Sequence, residues 1–237
     1  MALKRVAIPS PNVSSRGGAQ VRLIVVHTSE GAQTYQSLGS FFANPGSQVS
    51  SHTGIDDASP GVIGEYCGRS NKAWTAANAN PYAVQTELCT PSGAAQGWSA
   101  ATWASKTTML ANCAAWIAEE AAIFGIPIVK LSPAQAQGGA AGVCGHGDLG
   151  AMGGGHTDPG PNFPWSQVIA MATGQAPTTG DDDLPLNDAD KQWIQTTIEQ
   201  QCEIALRTQL QPNWECFNRV TQATMEAIKQ QPANIPK

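Results

Sequence analysis

The stretch GVCGHGDLGAMGGGHTDPGPNFPW, residues 142–165, limits what this chain can fold into more than any other. Its density of Gly and Pro excludes regular helix, because Gly loses the most backbone freedom on ordering and Pro lacks the amide hydrogen that a helix interior needs. Ordering costs about 1–2 kcal/mol per residue in backbone entropy, so a loop this long inside a compact domain is usually functional or disordered. Two of the chain's four histidines, His146 and His156, lie in it together with Asp148 and Asp158. Neutral imidazole and carboxylate are ligands that a borderline divalent ion such as zinc accepts, and catalytic zinc takes three protein ligands with one position left for water. At least one further ligand is expected from outside the loop.

The run VRLIVVHT, residues 21–28, is apolar and β-branched apart from Arg22 and reads as a strand buried on both faces. His27 falls at its C-terminal end, where side chains of sheet proteins reach binding clefts. Read alone, it is either a hydrogen-bonded core histidine or a ligand. VQTEL, residues 84–88, alternates so that Gln85 and Glu87 face one way and Val84, Thr86 and Leu88 the other. A strand carboxylate pointing into a metal cleft can take a proton from water and pass it to a departing amine; the plainer reading is an exposed strand Glu.

The other segments supply a scaffold. Residues 1–20, with Pro9, Pro11, Gly17 and Gly18, read as an extended arm laid over the domain surface. Helical spacing of Tyr35, Leu38, Phe41 and Phe42 predicts a helix over 34–43 that Asn44-Pro45-Gly46 stops. Strands are expected over 49–56, 62–66, 83–88 and 143–145. Met109, Leu110, Cys113, Ile117, Ala121 and Phe124 predict one long helix over 101–124, ended by Gly125 and Pro127, and a closing helix is expected over 165–171.

From residue 173 the composition changes. TGQAPTTGDDDLP has no apolar pattern, so 173–185 reads as a linker, and beyond it 186–237 reads as a two-helix segment with Asn187 as its cap. A hairpin of that size barely buries a core of its own, so docking, wall binding or self-association through these helices is expected. A net charge of −5 and a pI near 5.3 exclude a basic surface for nucleic acid. No apolar run approaches a membrane span, and 1–10 lacks the apolar core of a secretory signal. The six cysteines form no C-x-x-C pair and read as buried small hydrophobes, with Cys144 close enough to His146 to be a candidate thiolate ligand.

Six words in order, VVHTSEG, SSHTGID, KAWTA, VQTEL, CGHGDLG and HTDPGPNFPW, together resemble the type 2 N-acetylmuramoyl-L-alanine amidases, a family that includes bacteriophage endolysins and animal peptidoglycan-recognition proteins. The resemblance implies an α/β fold, a central mixed β-sheet flanked by helices, here with a small C-terminal α-helical appendage, and a zinc amidase domain over 21–172. It implies a Zn2+ site made by His27, His146 and Asp158. Glu87 is implied as the catalytic base, since Ser51 stands where some relatives carry a Tyr that orients the water. His156 is implied as a second catalytic residue at a place where relatives often have Lys. His52 is expected in the sheet beneath the cleft, and Asp148 as a group that orients a ligand from behind or caps the loop. The implied partner is peptidoglycan and the implied reaction is cleavage of the amide between N-acetylmuramic acid and L-alanine, in a phage endolysin acting from the host cytoplasm on the wall. Two alternatives stay open: a non-catalytic peptidoglycan-binding module and a zinc peptidase cutting within the stem peptide.

Overall fold

The computed structural model describes residues 3–175 and 195–196. The chain divides into two units, Met1–Thr178 and Thr179–Lys237. The linker beyond residue 175, the helices expected over 186–237 with their self-association, and Cys202 and Cys216 lie outside the described residues.

Eight strands are described: β1 (Lys4–Ala7), β2 (Val13–Ser15), β3 (Leu23–Thr28), β4 (Thr53–Ile55), β5 (Val62–Glu65), β6 (Asn71–Ala73), β7 (Ala83–Leu88) and β8 (Gly142–Gly145). Six form the main sheet in the order β1-β5-β4-β7-β3-β8, and β2 pairs with β6 in a second, two-stranded sheet. Within the main sheet only β4–β5 is antiparallel, so the fold is α/β with a mixed central sheet. The helices are α1 (Tyr35–Phe42), α2 (Ala94–Gly97), α3 (Ala100–Ala104), α4 (Thr107–Phe124), α5 (Pro133–Gln137) and α6 (Trp165–Thr173). None of them is long and apolar enough to cross a membrane.

Alternation along β3 divides the core. Ile24 and Val26 pack with Val84, Leu88 and the apolar stripe of α4, including Leu110, Cys113 and Ile117. Leu23 and Val25 turn to the opposite face, against Ala83, Leu131, Cys144 and Leu149. All six residues of β3 and all six of β7 are buried; β3 reads accordingly as a near-continuous apolar run, whereas β7 encloses the polar Gln85, Thr86 and Glu87 as well. Cys67, Cys89, Cys113 and Cys144 are buried free thiols, as expected for small hydrophobes.

Three sequence expectations need correction. The N-terminal arm is woven into sheet: β1 forms the edge beside β5, and β2 pairs with β6. Arg5 fastens that edge by reaching Glu65 at 3.3 Å and the fully buried Glu120 at 2.8 Å. The long helix over 101–124 is two helices, because side chains satisfy the backbone groups that a break exposes. Ser99 caps α3, Ser105 Oγ donates to the Thr102 carbonyl, and Asp57 accepts the amide of Met109 in the first turn of α4. The strand expected over 49–56 shrinks to Thr53–Ile55 because Ser50 and Ser51 spend their hydroxyls on backbone carbonyls of neighbouring segments.

His52 enters β4 from this irregular segment and is fully enclosed, as expected of a sheet residue beneath the cleft. Its Nδ1 accepts the amide hydrogen of Gln85 at 3.1 Å and its Nε2 lies 3.1 Å from the Asn71 carbonyl, with the Arg16 guanidinium alongside. Burial first, and the Arg16 cation next, lower its pKa from the ordinary 6.5 to about 3. The folded protein therefore keeps this ring neutral while the unfolded chain takes up a proton below about pH 6.5. Stability from this group is present above pH 6.5 and is lost as pH falls toward about 3, by up to ~1.4 kcal/mol per pH unit. In urea denaturation the stability gap between the wild type and His52→Gln should narrow as pH is lowered from 7 to 4.5; a gap independent of pH would refute the assignment.

Candidate active site

The site lies where β3, β7 and β8 end. Parallel pairing sets His27 of β3 directly beside Glu87 of β7. Because β8 flanks β3 on its other side and stops at Gly145, the chain delivers His146 next to the end of β3. Helix was not expected in the Gly-rich stretch, yet His146–Gly153 forms short 3-10 turns kinked at Gly150, a tighter and less demanding geometry than an α-helix. The return segment is fixed by the Gly147 amide, which donates to the Asp158 carbonyl at 2.9 Å. At Gly160 the backbone has φ +92 and a Cβ would stand 1.7 Å from the carbonyl oxygen of Ala95, so no other residue fits there without a shift.

These constraints bring three ligand atoms together. His146 Nδ1 lies 3.0 Å from Asp158 Oδ1 and His27 Nδ1 lies 3.4 Å from Asp158 Oδ2. One nitrogen from each ring and one carboxylate oxygen all fall within 4.8 Å of one another, and all three residues are buried. The far sides of both rings are engaged: His27 Nε2 sits 3.0 Å from Gln85 Oε1, and His146 Nε2 sits 2.7 Å from the Gly153 carbonyl. A ring that donates its Nε2 hydrogen to such an acceptor presents a bare lone pair at Nδ1 when neutral. Two lone pairs and a carboxylate then face one common point, which is repulsive unless a cation sits there. The donor set of two imidazoles and one carboxylate fits catalytic zinc.

Electrostatics agree with this geometry. Burial pushes His27 below its ordinary value despite the carboxylate beside it. Asp158 is held well below the usual carboxylate range: burial opposes its ionisation, but when a proton and not a metal ion occupies the point between the rings and the carboxylate, hydrogen bonds and charge from His146 and His27 outweigh that penalty. The Thr28 amide also donates to its Oδ2 at 3.1 Å. Glu87 is shifted the other way, well above the usual range, by burial first and then by the Asp158 and Glu30 carboxylates.

The remaining sequence candidates separate around this centre. Glu87 and His156 join His27, His146 and Asp158 in lining one cleft of about 550 Å³, whose apolar wall includes Leu38, Phe41, Val49 and Trp74. His156 stays outside the ligand cluster, exposed, with its ring stacked on that of His146 at 4.5 Å and 14°. Asp148 points away from the cleft and caps the loop, accepting from the Gly145 amide at 2.7 Å and from Lys130 Nζ at 2.8 Å. Cys144 is no ligand: it belongs to the core face, where burial pushes its thiol up to about 12. Sequence reasoning missed Gln85 and Glu30. Gln85 could have been found from its alternation with Glu87, which puts it on the same face of the strand two residues before the expected base. Glu30 has no such signal; it holds a positive φ of 51 and accepts from Thr28 Oγ1 and the Ala95 amide at the cleft rim.

Comparison with known proteins follows the same lines. No curated protein matches the sequence. Among solved structures, the fold is similar to the Staphylococcus aureus hydrolase AmiA in complex with its ligand, at TM-score 0.54 and 17% identity, covering 74% of this chain and 87% of that one. It is also similar to the N-acetylmuramoyl-L-alanine amidase LysC from Clostridium intestinale URNW, at TM-score 0.50 and 15% identity over 73% of this chain and 99% of that one. The endolysine N-acetylmuramoyl-L-alanine amidase LysCS of the same organism gives TM-score 0.50 and 15% identity over 73% and 97%. At such identities these likenesses speak for the fold. The sequence itself matches the family model described as N-acetylmuramoyl-L-alanine amidase over residues 17–161, more than half of the chain and all of the strands and loop that build the cleft, and the chain therefore belongs to that family.

Proposed function

We propose that this protein is a zinc-dependent amidase that cuts the amide joining the lactyl group of N-acetylmuramic acid to L-alanine in peptidoglycan. The observation that carries the reading is the convergence of His27 Nδ1, His146 Nδ1 and the Asp158 carboxylate at the floor of an open cleft in a chain of this family. His27, His146 and Asp158 would hold the metal. Bound zinc supplies Lewis acidity that polarises a carbonyl and brings the pKa of water toward about 7.

The chain's own groups do the rest. Glu87, buried beside His27 and raised in pKa, is suited to take the proton of the attacking water and return it to the departing L-alanine amine. His156, at the exposed edge of the cleft, is suited to donate an N–H to the oxygen that becomes negative on the attacked carbonyl. Rings and aliphatic groups of the cleft wall exclude water from one side of the substrate. The proposed setting is a phage endolysin, held in the host cytoplasm until lysis and then acting on the wall.

Mass spectrometry of purified peptidoglycan after digestion tests the reaction. Released stem peptides that begin with L-alanine are expected, whereas peptides cut internally would indicate a peptidase and an unchanged wall a binding module. Single Ala variants of His27, His146 and Asp158 should each lose zinc in metal analysis; retention by Asp158→Ala, with loss in His156→Ala, would overturn the ligand set. Glu87→Gln should keep zinc and fold but lose about 100- to 10,000-fold in turnover, the range for a positioned proton-transfer group. His156→Ala should keep zinc and lose about 100- to 1,000-fold in turnover, with partial recovery in His156→Lys. Full activity in His156→Ala would leave that ring with no catalytic part.

A further inference from the structure

Which nitrogen of His27 faces the metal position is decided by groups that never reach the cleft. Asn80 Oδ1 takes the amide hydrogens of Thr75 at 3.1 Å and Ala76 at 2.6 Å. Backbone amides only donate, so this atom is the oxygen of the Asn80 side chain and not its nitrogen. The Gln85 atom that meets the same oxygen at 2.9 Å must then be a donor, which fixes it as Nε2 and turns Oε1 toward His27. An amide oxygen only accepts. His27 Nε2, at 3.0 Å, must therefore carry the hydrogen, and Nδ1 is left with its lone pair on the side of Asp158.

The frame behind this relay is rigid. Gln85 is completely buried, its amide donates to His52 Nδ1, and its carbonyl accepts from the His52 amide and from Ser51 Oγ. Arg16 Nη1 binds the carbonyls of Asn80, Pro81 and Ala83, holding together the turn that carries Asn80 and the start of β7. Neither Asn80 nor Gln85 lines the cleft.

We propose that Asn80 and Gln85 are positioning residues which lock His27 in its Nε2–H tautomer and so aim its Nδ1 lone pair at the metal position. This rests on the zinc reading above and adds to it a defined outer pair for one ligand, of the kind that tunes metal affinity elsewhere. Gln85→Met has nearly the same shape and no acceptor oxygen. Gln85→Glu keeps an acceptor oxygen beside His27 Nε2 in either of its protonation states.

Nitrogen NMR of the full chain stripped of metal should find His27, at pH values where its ring is neutral, as a single tautomer protonated at Nε2. Gln85→Met, checked for folding by thermal denaturation, should lose that single tautomer. Competition against a chromophoric chelator should show its zinc affinity reduced about 10- to 100-fold, with Gln85→Glu within about threefold of wild type. A neutral wild-type His27 that carries its hydrogen at Nδ1 overturns the proposal without any variant. So does a folded Gln85→Met protein that keeps either the tautomer or its zinc affinity. If His27→Ala still binds zinc as tightly as wild type, the zinc reading itself fails, whatever Gln85 does.

Discussion

Because successive side chains of a strand point to opposite faces, the register in which β3 and β7 pair decides what the site contains. Pairing from Leu23 with Ala83 through Thr28 with Leu88 puts His27 and Glu87 side by side. It also places Gln85 two residues back on the face shared with His27, against the ring's far nitrogen. A slip by one residue would turn Glu87 and Gln85 into the layer occupied by α4 and send Thr86 and Leu88 toward the cleft. The apolar alternation of both strands guards against it, since Val84 and Leu88 would leave the cluster that Ile24 and Val26 build with α4. The chemistry at one end of the sheet is thus held by packing along its whole length.

Much of this was legible in the sequence because it follows from period and composition. The strand at 21–28, the helix over 34–43 and the strand at 83–88 are set by local patterns, and the observed elements fall within them. The grouping of His27, His146 and Asp158 was expected from the resemblance carried by VVHTSEG, CGHGDLG and HTDPGPNFPW, and in the fold these three side chains do meet. What stayed hidden depends on contacts between distant segments. Nothing local in KRVA says that it will pair with β5, because the reason is Glu120, some 115 positions away, which needs the Arg5 guanidinium. The break between α3 and α4 depends likewise on Asp57, and the role of Gln85 on Asn80.

Glu120 shows how such hidden contacts become indispensable. Its carboxylate is fully buried and is met by Arg5 from the N-terminal strand and by Arg69 from the turn after β5. Leaving a buried charge without compensation commonly costs about 3–5 kcal/mol, and Arg5 and Arg69 share the task of preventing it at Glu120. The first residues of the domain are therefore part of its foundation, although they lie at the edge of the sheet and far in sequence from the cleft.

His146 and Asp158 stand at the two ends of one Gly-rich excursion, tied at its base by the hydrogen bond from Gly147 to the Asp158 carbonyl and by the approach of the His146 ring to the Asp158 carboxylate. Such a segment has many open conformations available to it, and opening it separates the two side chains while the sheet beneath stays intact. An ion held by both ends closes that excursion as a clasp closes a strap. Metal content would then be written into the protein's wear in use: the stripped form should be nicked by proteases within 147–157 long before its core yields, and the loaded form should not.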